Sequence, residues 1–231
     1  MRLPLVAADV PPADRLAAPA LVVVDMQNDF VRAGAPLEVP DARATIPAQR
    51  RLVAAFRRRR LPVLYTRFLS LQDDNLLWRW SPECHPATRA CWPGHVRRYD
   101  DAPEPRPCAD VIDELEPLPG ETVIDKHGYG AFHGTDLAAR LRALGVRSLV
   151  VAGTVTQICV EETAREAFHH GLATTVVADA VSSFAPDLHA ATLRNIAMKF
   201  GWIEDADDVI AALPPCGRDE PACRNVPGTA A

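Results

Sequence analysis

Short hydrophobic runs recur along the chain, and turn-forming or polar residues separate them. Because such runs carry apolar side chains on both faces of a strand, they are typical of strands buried inside a parallel sheet. The first run ends in a carboxylate, at Asp25. The runs occupy residues 20–25, 62–66, 121–126, 146–152 and 173–178.

Apolar residues between these runs recur at spacings of three and four, the pattern of helices with one buried face. One face carries Leu52, Val53 and Phe56, and its helix is expected to stop at the basic run before Pro62. A last helix is predicted over 205–213. Alternating strands and helices with right-handed crossovers predict a three-layer α/β/α sandwich around a mainly parallel, Rossmann-like sheet. The other two helical faces comprise Leu137, Leu141 and Leu144, and Leu193, Ile196, Ala197 and Phe200.

Two segments interrupt this alternation. Residues 68–109 are irregular and rich in Pro, Trp, Arg and Cys, which is typical of a lid or binding loop. Residues 214–231 are rich in Pro and Gly and are predicted to form a disordered tail, in which Cys216 and Cys223 are incidental. We therefore expect one domain over residues 1–213, with the long segment as its substrate loop.

Composition narrows the class of protein. The chain has 231 residues, of which 48% are hydrophobic and 24% charged, and its net charge of −5 argues against a nucleic-acid partner. No run reaches the length of a membrane span, and residues 1–12 lack the apolar core of a secretory signal. Six cysteines in so long a chain are expected to be reduced thiols, so a cytoplasmic protein is predicted.

Three chemically complementary side chains follow three of the predicted strands. Asp25 ends the first strand, Lys126 ends the strand over 121–126, and Cys159 follows the strand over 146–152 where a new helix begins. Because the carboxyl ends of parallel strands meet at one edge of the sheet, we expect a carboxylate, an ammonium and a thiol to converge there.

These groups suit nucleophilic catalysis. A helix N-terminus and a nearby Lys126 favour the thiolate of Cys159, and Asp25 can accept the thiol proton and return it to a leaving amine. A thioester would form and then be opened by water. The backbone N–H groups of Val155 and Cys159 are the expected oxyanion hole. Taken singly, each residue has a structural alternative: a buried thiol, a turn-capping carboxylate and a solvated lysine.

The motifs resemble the isochorismatase-like cysteine hydrolase superfamily. The likeness lies in ALVVVDMQNDFV (20–31), VIDKHGYGAFHGTDL (123–137) and the stretch over 150–184. It implies a six-stranded sheet, a homo-oligomer and a reaction that needs no cofactor. By position, Asp25 matches the general base of the family, Lys126 its lysine and Cys159 its nucleophile. The resemblance also implies a cis peptide bond between Thr154 and Val155.

The same resemblance suggests a class of substrate. Isochorismatases of the family often lack the cysteine, so Cys159 favours the amide-hydrolase branch. Nicotinamidases of the family carry an Asp/His metal cluster after the second strand, whereas YTRFLSLQDDN (65–75) has no histidine, so no metal is expected. The block over 126–137 is similar to that of ureidoacrylate and other carbamoyl-type amidohydrolases, which implies a small ureido, carbamoyl or related amide, with water as the second reactant. Lactam hydrolysis of the streptothricin type and isochorismatase activity remain alternatives.

Residues near the catalytic motifs are candidates for substrate contacts. Those beside Asp25 are expected to line the pocket, those after Lys126 to form an aromatic wall, and the tryptophans of the long loop to close over the substrate. Packing in the core is the alternative for each aromatic residue. The candidates are Gln27, Asn28, Phe30, Trp78, Trp80, Trp92, Tyr129 and Phe132.

Three other interpretations stay open at this point. Cys84, His85, Cys91 and His95 could bind zinc, although their spacing is not a standard one. The glycines over 128–134 weakly match a dinucleotide-binding loop, but the next strand ends without the acidic residue that holds a ribose. A catalytically idle scaffold is the third alternative, and the complete Asp–Lys–Cys set argues against it.

Overall fold

The computed structural model describes residues 10–73 and 75–215. Six parallel strands form the central sheet in the order β5-β2-β1-β6-β7-β8, and β3 pairs with β4 in a separate antiparallel ribbon. The order reverses between β1 and β6, which creates the crevice where open α/β sheets bind ligands. The strands are β1 (Pro19–Val24), β2 (Val63–Phe68), β3 (Val96–Arg97), β4 (Arg106–Pro107), β5 (Thr122–Lys126), β6 (Ser148–Thr154), β7 (Ala173–Ser182) and β8 (Trp202–Glu204).

Helices cover both faces of the sheet. The third and eighth pack on one face, and the fifth, sixth and seventh pack on the other. The helices are α1 (Pro12–Arg15), α2 (Asn28–Val31), α3 (Ala42–Arg58), α4 (Leu77–Trp80), α5 (Leu137–Ala143), α6 (Glu161–His169), α7 (Pro186–Lys199) and α8 (Ala206–Ala212). Short 3₁₀ turns lie at Pro82–Cys84 and Asp113–Leu115, and a π-helical turn lies at Thr156–Val160.

Strand β1 shows why the hydrophobic runs are continuous. Leu21 and Val23 point into the core beneath α3 and α8, whereas Ala20 and Val22 belong to the core beneath α5, α6 and α7. Every residue of β1 is buried, because side chains alternate across a sheet whose two faces are both covered. The predicted three-layer sandwich is therefore confirmed.

Most element positions agree with the prediction. All five hydrophobic runs contain a strand, and the helix expected over 205–213 spans Ala206–Ala212. No hydrophobic run predicts β8 (Trp202–Glu204), because this strand is only three residues long and half-buried. The expectation that Leu144 lies on a buried face is wrong: α5 ends at Ala143, and Leu144 is 54% exposed in the turn that follows.

The long segment after β2 is more ordered than the prediction of an irregular loop. It contains α4, a 3₁₀ turn and the β3–β4 ribbon, and the buried carboxylate of Asp29 anchors it. Asp29 accepts hydrogen bonds from the backbone N–H of Cys91 (2.8 Å), from Nε of Arg97 (3.1 Å) and from the hydroxyl of Tyr99 (2.7 Å). The carboxylate thus holds the stretch from Cys91 to Tyr99 against α2.

Parts of the sequence prediction fall outside this description. Apart from residues 214 and 215, the predicted disordered tail lies outside the described residues, and so do Cys216 and Cys223. The division into a domain over 1–213 and a tail stays a prediction. Within the described chain, every helix is too short or too polar to span a bilayer.

The packing of α3 gives a stability prediction. Leu52 is 0% exposed under the sheet, so Leu52→Ala should lower the free energy of unfolding by about 2–5 kcal/mol through lost burial and a cavity. Leu144→Ala makes the same change at a 54% exposed position and should cost less than about 0.5 kcal/mol. Urea denaturation measures both values, and equal losses would contradict the assigned core.

Candidate active site

Asp25 occupies the turn directly after β1. Its backbone is left-handed, with φ of 48°, a conformation that Asp tolerates better than most residues, and its side chain is fully buried. Its N–H donates to Oγ1 of Thr66 on the neighbouring strand (3.1 Å), and the Thr66 hydroxyl donates to Oδ1 of Asp25 (2.5 Å). Thr66 therefore fixes one oxygen of the carboxylate and leaves Oδ2 for other partners.

Lys126 reaches this carboxylate from β5, across the intervening strand β2. Its Nζ lies 2.7 Å from Oδ2 of Asp25 and donates to the carbonyl oxygens of Gly128 (3.0 Å) and Tyr129 (2.9 Å). The ammonium also lies 5.5 Å from the centroid of the Phe68 ring, a cation–π distance. Burial by itself would lower the pKa of Lys126, but Asp25 and Cys159 together outweigh burial, and the pKa is raised. A solvated lysine, the structural alternative, is excluded.

The loop that follows Lys126 is fastened to α6. The N–H of Ala131 donates to Oγ1 of Thr163 (3.1 Å), and that of Phe132 donates to the Glu166 carboxylate (2.9 Å). A Cβ atom at position 130 would lie 2.2 Å from Oε2 of Glu166, so any residue other than Gly130 would have to displace that carboxylate. A dinucleotide-binding loop needs free N–H groups for phosphate. Because these N–H groups are occupied and a carboxylate faces them, the dinucleotide interpretation is wrong.

Strand β6 approaches β1 closely on the other side of Asp25. Gly153 has φ of 115°, and a Cβ atom there would lie 2.0 Å from the carbonyl oxygen of Val24, so only glycine fits. The next peptide bond, between Thr154 and Val155, is cis. The family resemblance predicts a cis peptide bond at this position, and the structure confirms it.

Cys159 lies in the π-helical turn Thr156–Val160 that connects β6 to α6. This turn is held from behind by Thr156, whose hydroxyl donates to the carbonyl oxygen of Ser182 (2.9 Å) and pairs with Nδ1 of His189 (2.9 Å). The side chain of Cys159 is 4% exposed, yet it forms part of the wall of a cavity. The thiol is thus buried beside Asp25 and Lys126 and remains open to a bound molecule.

The ionisation of Cys159 differs from the expectation of a favoured thiolate. Burial raises the pKa of the thiol, Lys126 lowers it and Asp25 raises it again, and the result is about 12. Desolvation outweighs the nearby ammonium because the same cation is already paired with a carboxylate. The resting site therefore holds a protonated thiol beside Asp25 and Lys126.

The cavity beside the thiol has a volume of about 490 Å³. Aromatic and aliphatic residues supply most of its surface, and Trp80 and Phe184, which are 78% and 57% exposed, stand at its rim. A pocket of this size and character suits a small organic substrate. Its lining comprises Phe30, Pro36, Leu37, Glu38, Phe68, Trp80, Ser81, Glu83, Cys84, Tyr129, Val155, Ile158, Cys159 and Phe184.

Comparison with known proteins places this geometry in a family. Residues 19–208 match the isochorismatase domain, a span that holds Asp25, Lys126 and Cys159. The chain belongs to the isochorismatase family. The resemblance drawn from the three motifs is confirmed, and so is the predicted fold class.

Within the isochorismatase family, ureidoacrylate amidohydrolase RutB of Pseudomonas savastanoi pv. phaseolicola is 32% identical over 218 residues, which cover 86% of this chain and 85% of the relative. The structure of a cysteine hydrolase from Pseudomonas syringae pv. phaseolicola superposes with a TM-score of 0.77 at 26% identity, covering 92% of this chain and 98% of that one. N-carbamoylsarcosine amidase from Thermoplasma acidophilum gives a TM-score of 0.64 at 31% identity, with coverage of 82% and 96%.

Three of the expected substrate-contacting residues, Phe30, Trp80 and Tyr129, line the cavity of this isochorismatase-family fold. Gln27 does not: its amide nitrogen donates to the carbonyl oxygens of Phe68 (2.9 Å) and Ala109 (2.8 Å). Its oxygen accepts from the N–H of Phe68 (2.7 Å). The prediction for Gln27 is wrong, because a fully buried carboxamide that joins β2 to the long segment has no group left for a substrate.

Asn28 has a similar structural role. Its amide donates to the carbonyl oxygen of Pro107 (2.9 Å), and its oxygen accepts from Nε of Arg32 (3.1 Å). Asn28 is 1% exposed and lies outside the cavity lining, so its predicted substrate contact is also wrong.

Three aromatic residues that were predicted to contact the substrate do not face the cavity. Trp78 packs on the core and against the His85 ring, Phe132 stacks on His170 with centroids 4.7 Å apart, and Trp92 donates from Nε1 to the carbonyl oxygen of Cys84. None of the three lines the described cavity, and core packing is the correct interpretation for Trp78 and Phe132, whereas Trp92 is half-buried within the long segment.

Several important residues were missed. Thr66 and Phe68 lie at the carboxyl end of β2, and Phe184 follows β7, so the strand-end rule that found Asp25 could have found them. Glu38 and Ser81 lie on loops, and Glu83 and Cys84 lie in the short 3₁₀ turn Pro82–Cys84, where no periodic pattern marks the residues that face a cavity.

The zinc interpretation has no geometric support. Among the described residues, no three His, Cys, Asp or Glu side chains gather closely enough to hold a metal ion. Cys84 and Cys91 are buried free thiols, and His85 and His95 do not join them. Burial raises the pKa of both thiols, which opposes the thiolate form that zinc requires.

The raised pKa of Cys159 predicts how its alkylation depends on pH. Because the pKa is about 12, the thiolate fraction should rise roughly tenfold per pH unit from pH 7 to 9.5, with no plateau. Peptide mass spectrometry after timed iodoacetamide exposure measures this rate, with glutathione alkylated in parallel as an unperturbed thiol. A plateau of the Cys159 rate below pH 8 would disprove the buried-thiol description.

Proposed function

We propose that this chain hydrolyses the C–N bond of a small amide, with Cys159 as nucleophile, Asp25 as proton acceptor and donor, and Lys126 as their shared counter-ion. The observation that carries the proposal is the fully buried ion pair, with Nζ 2.7 Å from Oδ2, beside a thiol that opens onto a cavity. Buried ionisable groups with a specific partner at the wall of a pocket are typical of catalytic sites.

The class of reaction agrees with the relatives. The predicted class, a hydrolase of carbon–nitrogen bonds other than peptide bonds, is confirmed by the amidohydrolase relatives and the family domain. The relatives are named for ureidoacrylate and for N-carbamoylsarcosine. These names support a ureido, carbamoyl or related amide as the substrate of this chain.

The first half of the reaction forms a thioester. When the substrate carbonyl reaches the sulfur, the thiol proton moves to Asp25 and the thiolate attacks the carbonyl carbon. The N–H groups of Val155 and Cys159 are proposed to stabilise the oxyanion, a contribution typically worth about 3 kcal/mol per donor. The Asp25 carboxyl group then protonates the leaving nitrogen, the C–N bond breaks, and the amine or ammonia departs.

The second half releases the acid. Asp25, a carboxylate again, takes a proton from water as the water oxygen attacks the thioester. The C–S bond breaks, and the sulfur recovers its proton from Asp25. Lys126 keeps its proton throughout, because its positive charge is needed by the carboxylate in one half and by the thiolate in the other. Each step uses only water and groups of the chain.

The setting of the enzyme is also a proposal. We infer a cytoplasmic location, which the free and buried state of Cys84, Cys91, Cys108 and Cys159 supports, since reducing compartments preserve thiols. The substrate and water are the proposed partners. A homo-oligomer stays a prediction from the family resemblance.

Substitution of the nucleophile and of the base tests the mechanism. Cys159→Ala and Asp25→Asn should each lower kcat/KM by at least about a thousandfold, because no thioester can form or because the proton has no acceptor. Ammonia and amine release should be measured over ureido acids, N-carbamoyl amino acids, aryl amides and lactams.

The matched control is Cys91→Ala, which removes another buried thiol outside the cavity lining and should keep activity. Circular dichroism would verify that each variant folds. Wild-type turnover that survives the loss of the Cys159 sulfur would rule out nucleophilic catalysis at this position.

Thr66 is predicted to be a positioning residue that acts through Asp25. Thr66→Val keeps the shape but removes the hydroxyl that donates to Oδ1, so kcat should fall by about 10- to 100-fold with little change in KM. Thr66→Ser restores the hydroxyl and should recover activity to within about threefold. If the valine variant matches the wild type in kcat, the hydrogen bond does not orient the base.

A further inference from the structure

The charge of the cavity wall bears on the class of substrate. Glu38 and Glu83 are the charged residues of the lining, and the described lining contains no arginine or lysine. Asp25 and Lys126 form a neutral pair behind the thiol. Whether the cavity prefers a cation or an anion therefore depends on the two glutamates.

Glu38 is already neutralised. One of its carboxylate oxygens lies 2.7 Å from Nη2 of Arg43, and the other accepts from the N–H of Gly34 (2.9 Å). The hydrogen bond from Arg43 lowers the pKa of Glu38, so the carboxylate stays ionised and paired. It adds little net charge to the cavity.

Glu83 has no such partner. It is half-buried in the 3₁₀ turn Pro82–Cys84, and its carboxylate makes no hydrogen bond or ion pair within the part of the chain that the structure describes. Burial is the largest cause of the raised pKa of the Cys84 thiol, and a hydrogen bond with Ser70 lowers that pKa. The Glu83 carboxylate is the next cause and raises the pKa, so its charge acts on a group that also lines the cavity. One uncompensated negative charge thus remains at the wall.

Aromatic rings share the cavity wall with this charge. Phe30, Phe68, Trp80, Tyr129 and Phe184 line the same cavity, and the faces of such rings attract cations and repel anions. An anionic substrate would lose water beside Glu83 without gaining a positive partner, which is costly. A cationic substrate would gain both a carboxylate and aromatic faces.

We propose that this enzyme prefers amides that carry a positive charge over amides that carry a negative charge, and that Glu83 is the residue that determines this preference. The proposal rests on the proposed amide hydrolysis and specifies its substrate class. It separates this chain from the relative named for ureidoacrylate, whose name denotes a carboxylate.

A matched series of primary amides tests the preference in the full-length protein. We suggest 4-(aminomethyl)benzamide, 4-methylbenzamide and 4-carboxybenzamide, which have similar shapes and are cationic, neutral and anionic at pH 7.5. Ammonia release should give a kcat/KM for the cation at least about tenfold above that for the anion, with the neutral amide between them. Added salt should narrow the ratio, because screening weakens the field of a half-exposed carboxylate.

Glu83→Gln should reduce the cation-to-anion ratio of kcat/KM by about fivefold or more. Glu104→Gln is the matched control, since Glu104 is exposed and lies outside the cavity lining, and it should leave the ratio as it is. Equal kcat/KM values for the three amides, a faster anion, or a ratio that Glu83→Gln does not change would overturn the proposal.

A failure of the proposed function can be told apart from a failure of this inference. If the enzyme hydrolyses other amides but not this series, the three compounds are measured as competitive inhibitors, and the cation should bind at least about tenfold more tightly than the anion. If no amide is hydrolysed, calorimetric titration of the same compounds measures the charge preference of the cavity directly, and tighter binding of the anion would reject it.

Discussion

The geometry of this site depends on a buried ion pair between Asp25 and Lys126, neither of which is more than 1% exposed. Removing two charges from water costs several kcal/mol per ion, so such a pair persists only when further hydrogen bonds satisfy the remaining atoms. The Thr66 hydroxyl donates one hydrogen bond to the carboxylate. The ammonium donates two, to the carbonyl oxygens of Gly128 and Tyr129. Loss of either partner would leave an unpaired buried charge. The same contacts therefore stabilise the fold and fix the geometry of the site.

Cys159 adds a third member to this arrangement. The proton transfer proposed here moves a negative charge from Asp25 to the sulfur while both stay next to Lys126, so the total charge of the buried group does not change. The high pKa of the resting thiol keeps the sulfur protonated until a substrate binds. Such a thiol resists alkylation and oxidation between turnovers, since those reactions require the thiolate.

The proposed catalytic groups could be predicted from the sequence because their convergence depends on topology. Parallel strands end at a common edge, and that rule alone brought Asp25, Lys126 and Cys159 together. Nearness in sequence was a poor guide: Gln27 follows Asp25 by two positions, yet its carboxamide satisfies buried backbone groups and does not face the cavity. The wall residue Glu83 could not be predicted, because a non-repeating loop has no periodicity that reveals which way a side chain points.

The anchoring of the long segment by Asp29 has an evolutionary consequence. One buried carboxylate, with its bonds to Cys91, Arg97 and Tyr99, fixes the course of the segment, while Glu83 takes no part in those bonds. Selection can therefore alter the residues that meet a new compound without loosening the scaffold that holds them. Substrate preference can therefore change separately from the groups that are proposed to perform the chemistry.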